Sequence, residues 1–210
     1  MASYLPPDTI ALAGIHLQQR NRADLNQFLP QSWFSALGSY RQASIVWIAY
    51  NGKNVLVVAR QPSGVSLGGP GEAVRAAEAR HSHKAGTPPL VAEAAPVMSA
   101  VLWAVVRGDR ALPLSGNFVN VNRLLRFTRY STAAIDWNHK IDIRLVGQCG
   151  NPENARQLEE SLRAMTTLAA AVSRKRDLQA LLKSIEIVRD ASAVHIHLLA
   201  DPGALGELLR

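Results

Sequence analysis

Few residues in this chain are typed and spaced for chemistry. His195 and His197 stand at i and i+2 in an apolar run, Val194 to Leu199, so on a strand both rings would point to one face and could offer two imidazoles to a metal. Two histidines alone make an incomplete site, and the plainer role is a polar outer face alternating with Val194, Ile196 and Leu198. His81 and His83 form a similar pair in a Pro/Gly-flanked polar stretch, 81–89, that itself holds no thiol or carboxylate. His16 lies in an apolar strand, where a local hydrogen bond is its ordinary role, and His139 reads as a turn residue. Arg123, Arg126 and Arg129 recur at i, i+3 and i+6 along a run that reads as an amphipathic helix, and Arg174, Lys175 and Arg176 form a short basic run between two helices. Such cations suit phosphate or another polyanion; the alternative is a solvated basic surface.

Nucleophilic catalysis has little to stand on. The sequence has no G-x-S-x-G, and its one cysteine, Cys149, has no supporting histidine motif. A single cysteine excludes an intrachain disulfide and a cysteine-rich zinc site, leaving a small buried residue at a strand end as the expectation. Gly68-Gly69-Pro70-Gly71 precedes a helix but lacks the order of a dinucleotide fingerprint and the P-loop lysine, so it reads as a helix entry. No cofactor is implied. The strands V-L-W-A-V-V and I-D-I-R-L-V lack the aromatic signature with which ferredoxin-like sheets bind RNA, and Trp47, Tyr50, Trp103 and Trp137 are dispersed.

The elements that would position these residues are legible in outline. With 210 residues, 48% of them hydrophobic, the chain can bury a sizeable core in one large or two small domains. The clearest local signal is Ser44 to Gln61, two β-rich runs around Asn51-Gly52, the dipeptide suited to a type I′ turn. Both arms are nearly all apolar, which predicts cover on both faces and marks this hairpin as a seam. A second hairpin spans Thr132 to Gln148 across Asn138-His139; Ile141, Ile143 and Leu145 alternate there with Asp142, Arg144 and Val146, predicting one buried and one wet face. A third runs Ile185–Val188 and Val194–Leu199.

Helices are predicted over 18–40 with a break at Pro30, over 71–80, over 117–129, from Asn151-Pro152 to about Val172, over 174–183, and briefly over 202–209. Residues 61–71 read as loop and Leu90–Glu93 as a weak strand. Aligned, the pieces repeat as strand, helix, strand-turn-strand, helix, strand. That order predicts an α+β protein of two tandem ferredoxin-like (βαββαβ) halves, 1–96 and 97–210, with antiparallel sheets and a pseudo-twofold duplication.

No apolar run reaches the length of a bilayer span, and the first residues lack the basic and apolar regions of a signal peptide; as given, the chain is expected to be soluble, and extracytoplasmic had a leader been removed. The net charge of +7 permits nucleic acid, an anionic membrane surface or an acidic partner, and selects among them only where the charge clusters.

The stretches L-P-P-D-T-I-A-L-A-G-I-H-L, L-P-Q-S-W-F, A-Y-N-G-K-N-V-L-V-V-A-R, L-P-L-S-G-N-F-V-N-V-N-R-L-L-R and L-Q-A-L-L-K-S-I-E-I resemble a group of uncharacterised bacterial proteins of acidobacterial type, exported or lipoprotein-anchored. The resemblance implies an exported protein and no activity, so it assigns no functional residue. The expectation is a non-enzymatic binding or scaffold protein acting on a protein partner or a second copy of itself. Polyanion binding through Arg123, Arg126, Arg129, Arg174, Lys175 and Arg176 is the alternative. The third possibility is a small-molecule or metal site between the halves using His16, His195 or His197.

Overall fold

Antiparallel pairing of strands, with helices added between them, organises the chain into an α+β fold. The computed structural model describes residues 1–17, 38–40, 42–114, 120–137 and 139–201. Of the helical stretch expected over 18–40 only the 3-10 turn Gly38–Tyr40 is described; residues 18–37, the helix expected over 202–209 and the start of the one expected over 117–129 lie outside the described residues. Two compact units are present, Met1–Val105 and Val106–Arg210.

The first unit contains β1 (Ala11–His16), β2 (Ile45–Tyr50), β3 (Val55–Gln61) and β4 (Gly64–Gly68), then α1 (Gly71–Ser82) and α2 (Pro89–Ala94). β5 (Leu102–Arg107) begins in it and crosses its boundary. The order is β4-β3-β2-β1, with β5 beside β1. Direct pairing of β1 with β2, Gly14 opposite Trp47 and Leu12 opposite Ala49, is antiparallel. A split β-α-β unit would instead keep those two strands parallel and separated by another, so the ferredoxin-like order expected for this half is not the one its strands adopt.

Three further expectations need correction here. Residues 64–68 form an edge strand rather than loop, paired with β3 through Val58–Leu67 and Arg60–Val65. Leu90–Glu93 is helical: Pro88 and Pro89 sit at the N-cap and N1, where a missing N–H costs nothing. The Asn51-Gly52 turn is real but not type I′. Only Gly52 has a positive φ (95°), and Asn51 Oδ1 accepts from the amides of Lys53 and Asn54 at 3.1 and 2.8 Å. A positive φ at the first central position alone is the type II′ pattern, so the loop is Asn51–Asn54.

Both faces of β2–β3 are covered, as the apolar runs predict. Val46 and Ala59 are buried on one side, Ala49, Leu56 and Val58 on the other. On the second face the Trp103 indole lies over Gly14 and meets Trp47 edge to face, with ring centroids 5.7 Å apart at 84°. A Cβ at residue 14 would fall inside the Trp103 ring. Neither indole N–H has a hydrogen-bond acceptor, so dispersion and ring contacts hold the pair.

The second unit contains α3 (Val121–Leu125), β6 (Thr128–Trp137), β7 (Ile141–Cys149), α4 (Pro152–Val172), α5 (Arg176–Lys183), β8 (Glu186–Asp190) and β9 (Ala193–Ala200). Its order is β6-β7-β9-β8, antiparallel throughout. β6 and β7 form a hairpin, but β9 lies between β7 and β8, so those two strands run parallel and are joined through α4 and α5 as a split β-α-β unit; the complete βαββαβ order expected for residues 97–210 is not found. α4 packs on the sheet through Ala155 and Leu158, which share a core with Cys149, Ile187 and Val194. The opposite face is wet, as the alternation predicts: Arg144 pairs with Asp136 and Asp142 there.

Candidate binding face

α4 is two half-helices in chemistry. Asn151 caps it by accepting from the Asn154 amide at 2.8 Å, and Pro152 takes N1. In the first turns Arg156 bridges Glu153 and Glu160, each at 2.7 Å, and Glu159 receives Arg163 and Arg189 at 3.0 Å. The Arg156 hydrogen bonds, aided by Gln157, bring the Glu153 carboxyl down to about 2; those from Arg163 and Arg189 hold Glu159 below the usual carboxylate range.

The other half is different. From Ser161 to Arg176 the sequence has no carboxylate, and Ala164–Val172 has no charge at all. Met165, Leu168 and Val172, at i, i+3 and i+7, are 45, 65 and 70% exposed. They stand on one wall of a groove of about 640 Å³ whose other wall is Arg123, Leu124 and Phe127. The helix then ends directly in Ser173-Arg174-Lys175-Arg176, with all three cations exposed. Asp177, in the first turn of α5, is the next carboxylate along the chain.

The six cations singled out by sequence therefore divide. Arg123 is in α3 and lines the groove; Arg174, Lys175 and Arg176 stand at the C-terminal end of α4. The expected single helical stripe is corrected: α3 ends at Leu125, Arg126 follows it, and Arg129 is a β6 residue lying against Gly150, at the start of α4. Twenty-one residues of helix, about 31 Å, separate that position from Arg174. The missed signal was Thr128: its hydroxyl bonds the Leu125 carbonyl at 2.8 Å, closing the turn that stops the helix.

His195 and His197 do share the wet face. His197 Nε2 meets Asp142 at 3.1 Å and its Nδ1 lies 3.6 Å from Glu186, so its ring is held by carboxylates. Among the described residues no group of three or more His, Cys, Asp or Glu side chains is arranged to hold a metal ion. His16 donates to the Met98 carbonyl at 2.8 Å, a bond across 82 residues in place of the local one expected of it. Cys149 is buried, and desolvation raises its thiol pKa, away from the reactive thiolate.

Sequence reasoning missed a Ser3–His81 contact of 2.8 Å, which no spacing could reveal across 78 residues. A hydroxyl beside an imidazole has the form of a nucleophile and its base. Here the Tyr4 ring stacks on His81 at 4.1 Å and Arg80 donates to the Tyr4 carbonyl at 2.7 Å. The contact ties the first turn of chain to α1. A second cavity, about 590 Å³, lies on the other flank of α4. Three of its polar lining residues bond within the unit: Thr166 to the Leu162 and Arg163 carbonyls, Gln179 to the Ser173 carbonyl, and Arg163 to the Ile187 carbonyl.

Comparison with protein-family models, with curated proteins and with solved structures finds no match for this chain. The α3–α4 groove has to be interpreted from its own chemistry.

Proposed function

We propose that this is a non-enzymatic binding protein whose contact surface is the α3–α4 face of the second unit, and whose partner presents apolar surface together with negative charge. The observation that carries the reading is the exposed row Met165, Leu168 and Val172, set between Arg123 and the Arg174–Arg176 run. Exposed aliphatic side chains clustered on one face and rimmed by charge mark an interaction site in a folded protein. A photoreactive residue at position 168 tests it, with Glu78 on α1 as an exposed control. Crosslinking in cells several times above the control is expected; equal crosslinking at both positions overturns the reading.

We also infer that the chain holds two copies of one plan. With the edge strand β4 left aside, strand, connector, hairpin and two helices occur in that order as β1, β2–β3, α1 and α2, and again as β5, β6–β7, α4 and α5. Their starts are offset by 91 (102 − 11), 83 (128 − 45) and 81 (152 − 71) residues. On this reading the repeat is a meander-and-helices unit, and the binding face belongs to the copy whose first hairpin-following helix grew longest.

A further inference from the structure

We propose that the partner is an anionic phospholipid surface, on which the protein lies through the C-terminal half of α4. This rests on the binding-face reading above and names its ligand. The shape of the apolar row argues for it. Leu168 and Val172 are the most exposed large hydrophobic residues among those described, so the wall of the groove that they form is open to solvent. An open, exposed apolar wall suits insertion into a soft interface. The residues are aliphatic, which fits acyl chains and offers no stacking platform for nucleic-acid bases. From Met165 to Val172 the row covers seven helical steps, about 10 Å, enough to enter a headgroup layer and far short of a span. No described helix is long and apolar enough to cross a membrane.

Charge complements the shape. Arg123, Arg174, Lys175 and Arg176 flank the row, and the intervening Ala164–Val172 contributes no carboxylate to repel a phosphate. The carboxylates of α4 are kept to its other half, each engaged by an arginine. Each cation near a negatively charged leaflet strengthens binding about fivefold, and salt screens the effect.

Co-sedimentation with vesicles tests the proposal, comparing phosphatidylcholine alone with an equimolar mixture of phosphatidylcholine and phosphatidylserine. The full chain is expected to pellet with the mixed vesicles only, and less at high salt. R174Q/K175Q/R176Q should weaken that binding about a hundredfold, and L168D about tenfold or more. All four positions are exposed, so an unchanged melting temperature checks that the variants remain folded. No binding by the natural sequence, or equal binding by both variants, overturns the proposal. If position 168 still crosslinks above the control to a protein or nucleic acid, the lipid assignment alone falls. If it does not crosslink either, the binding face falls with it.

Discussion

The β2–β3 hairpin of the first unit and the β7–β9 pair of the second are both built from long apolar-rich strands, yet they meet water differently. In β2–β3 successive residues are buried in opposite directions, Val46 and Ala59 one way, Ala49 and Val58 the other. In β7–β9, Ile141 and Val194 are buried while Arg144 pairs with Asp142, and His197 hydrogen-bonds Asp142, on the far side. A continuous apolar run records two covered faces, and strict alternation records one. The sheet edges differ too. β8 bears Glu186, Arg189 and Asp190, charges that deter a further strand, whereas β4 reads G-V-S-L-G with none.

If the first unit is the more tightly enclosed, a single added methyl should harm it most where the backbone is overlaid. Gly14→Ala drives a Cβ into the Trp103 indole, and relief requires moving a ring that Trp47 also touches. A loss of about 3 kcal/mol in chemical denaturation is expected. Gly86→Ala, with open space around it, should stay within about 0.5 kcal/mol. Near-equal effects would show that the Trp103 contact is not a constraint on the fold.

The next contrast separates the faces. Val46→Ala and Val58→Ala lie on opposite sides of one hairpin, and each should cost about 2 kcal/mol. In the second unit Leu158→Ala should cost about 3 kcal/mol, while Arg144→Ala on the wet face should cost under about 1 kcal/mol, because its ion pairs are solvated. A neutral Val46→Ala would remove the second covered face from the account.

Acid should act on the second unit. Among the described residues, the carboxylates held below their usual range are Asp109, through Arg107; Glu153, through Arg156, to about 2; and Glu159, through Arg163 and Arg189. A carboxylate depressed by folding stabilises the native state above its unfolded pKa and loses that contribution as pH falls through the folded value. For Glu153 the window runs from its ordinary 4.5 down to about 2. Melting temperature should fall across that window, and less so in Glu153→Gln. An identical pH profile in that variant would locate the acid sensitivity elsewhere.

Local chemistry made much of this architecture readable. Asn151-Pro152 announced α4 because capping is a contact between neighbours, and the Ile141–Val146 alternation announced a half-wet strand. What could not be read was nonlocal. Whether β1 lies beside β2 or is split from it leaves no trace in either strand's composition, which is why a ferredoxin-like order and the observed meander read alike. β4 was hidden because its residues sit between Pro62 and Pro70 and are glycine-rich, and only pairing with β3 makes them a strand. The binding face was half legible. The helical spacing of Met165, Leu168 and Val172 is in the sequence, but spacing marks an apolar position without saying whether anything covers it. Arg126 and Arg129 misled for the converse reason: periodicity continued past a turn that Thr128 closes.

The smallest effect concerns two turns doing the same work. Gly52 enters the β2–β3 loop at φ 95°, whereas the β8–β9 turn places Ala191 at φ 46°. An L residue with a Cβ pays about 1–2 kcal/mol in that left-handed region, and glycine gives back about 0.5–1 kcal/mol through its freer unfolded chain. Ala191→Gly should therefore stabilise the protein by about 0.5 kcal/mol, and Gly52→Ala should destabilise it by a similar amount or slightly more. Opposite signs from the same exchange in two hairpins would confirm that backbone conformation, and not side-chain contact, governs both turns. A destabilising Ala191→Gly would instead mean that the Ala191 methyl contributes packing that its exposed position does not suggest.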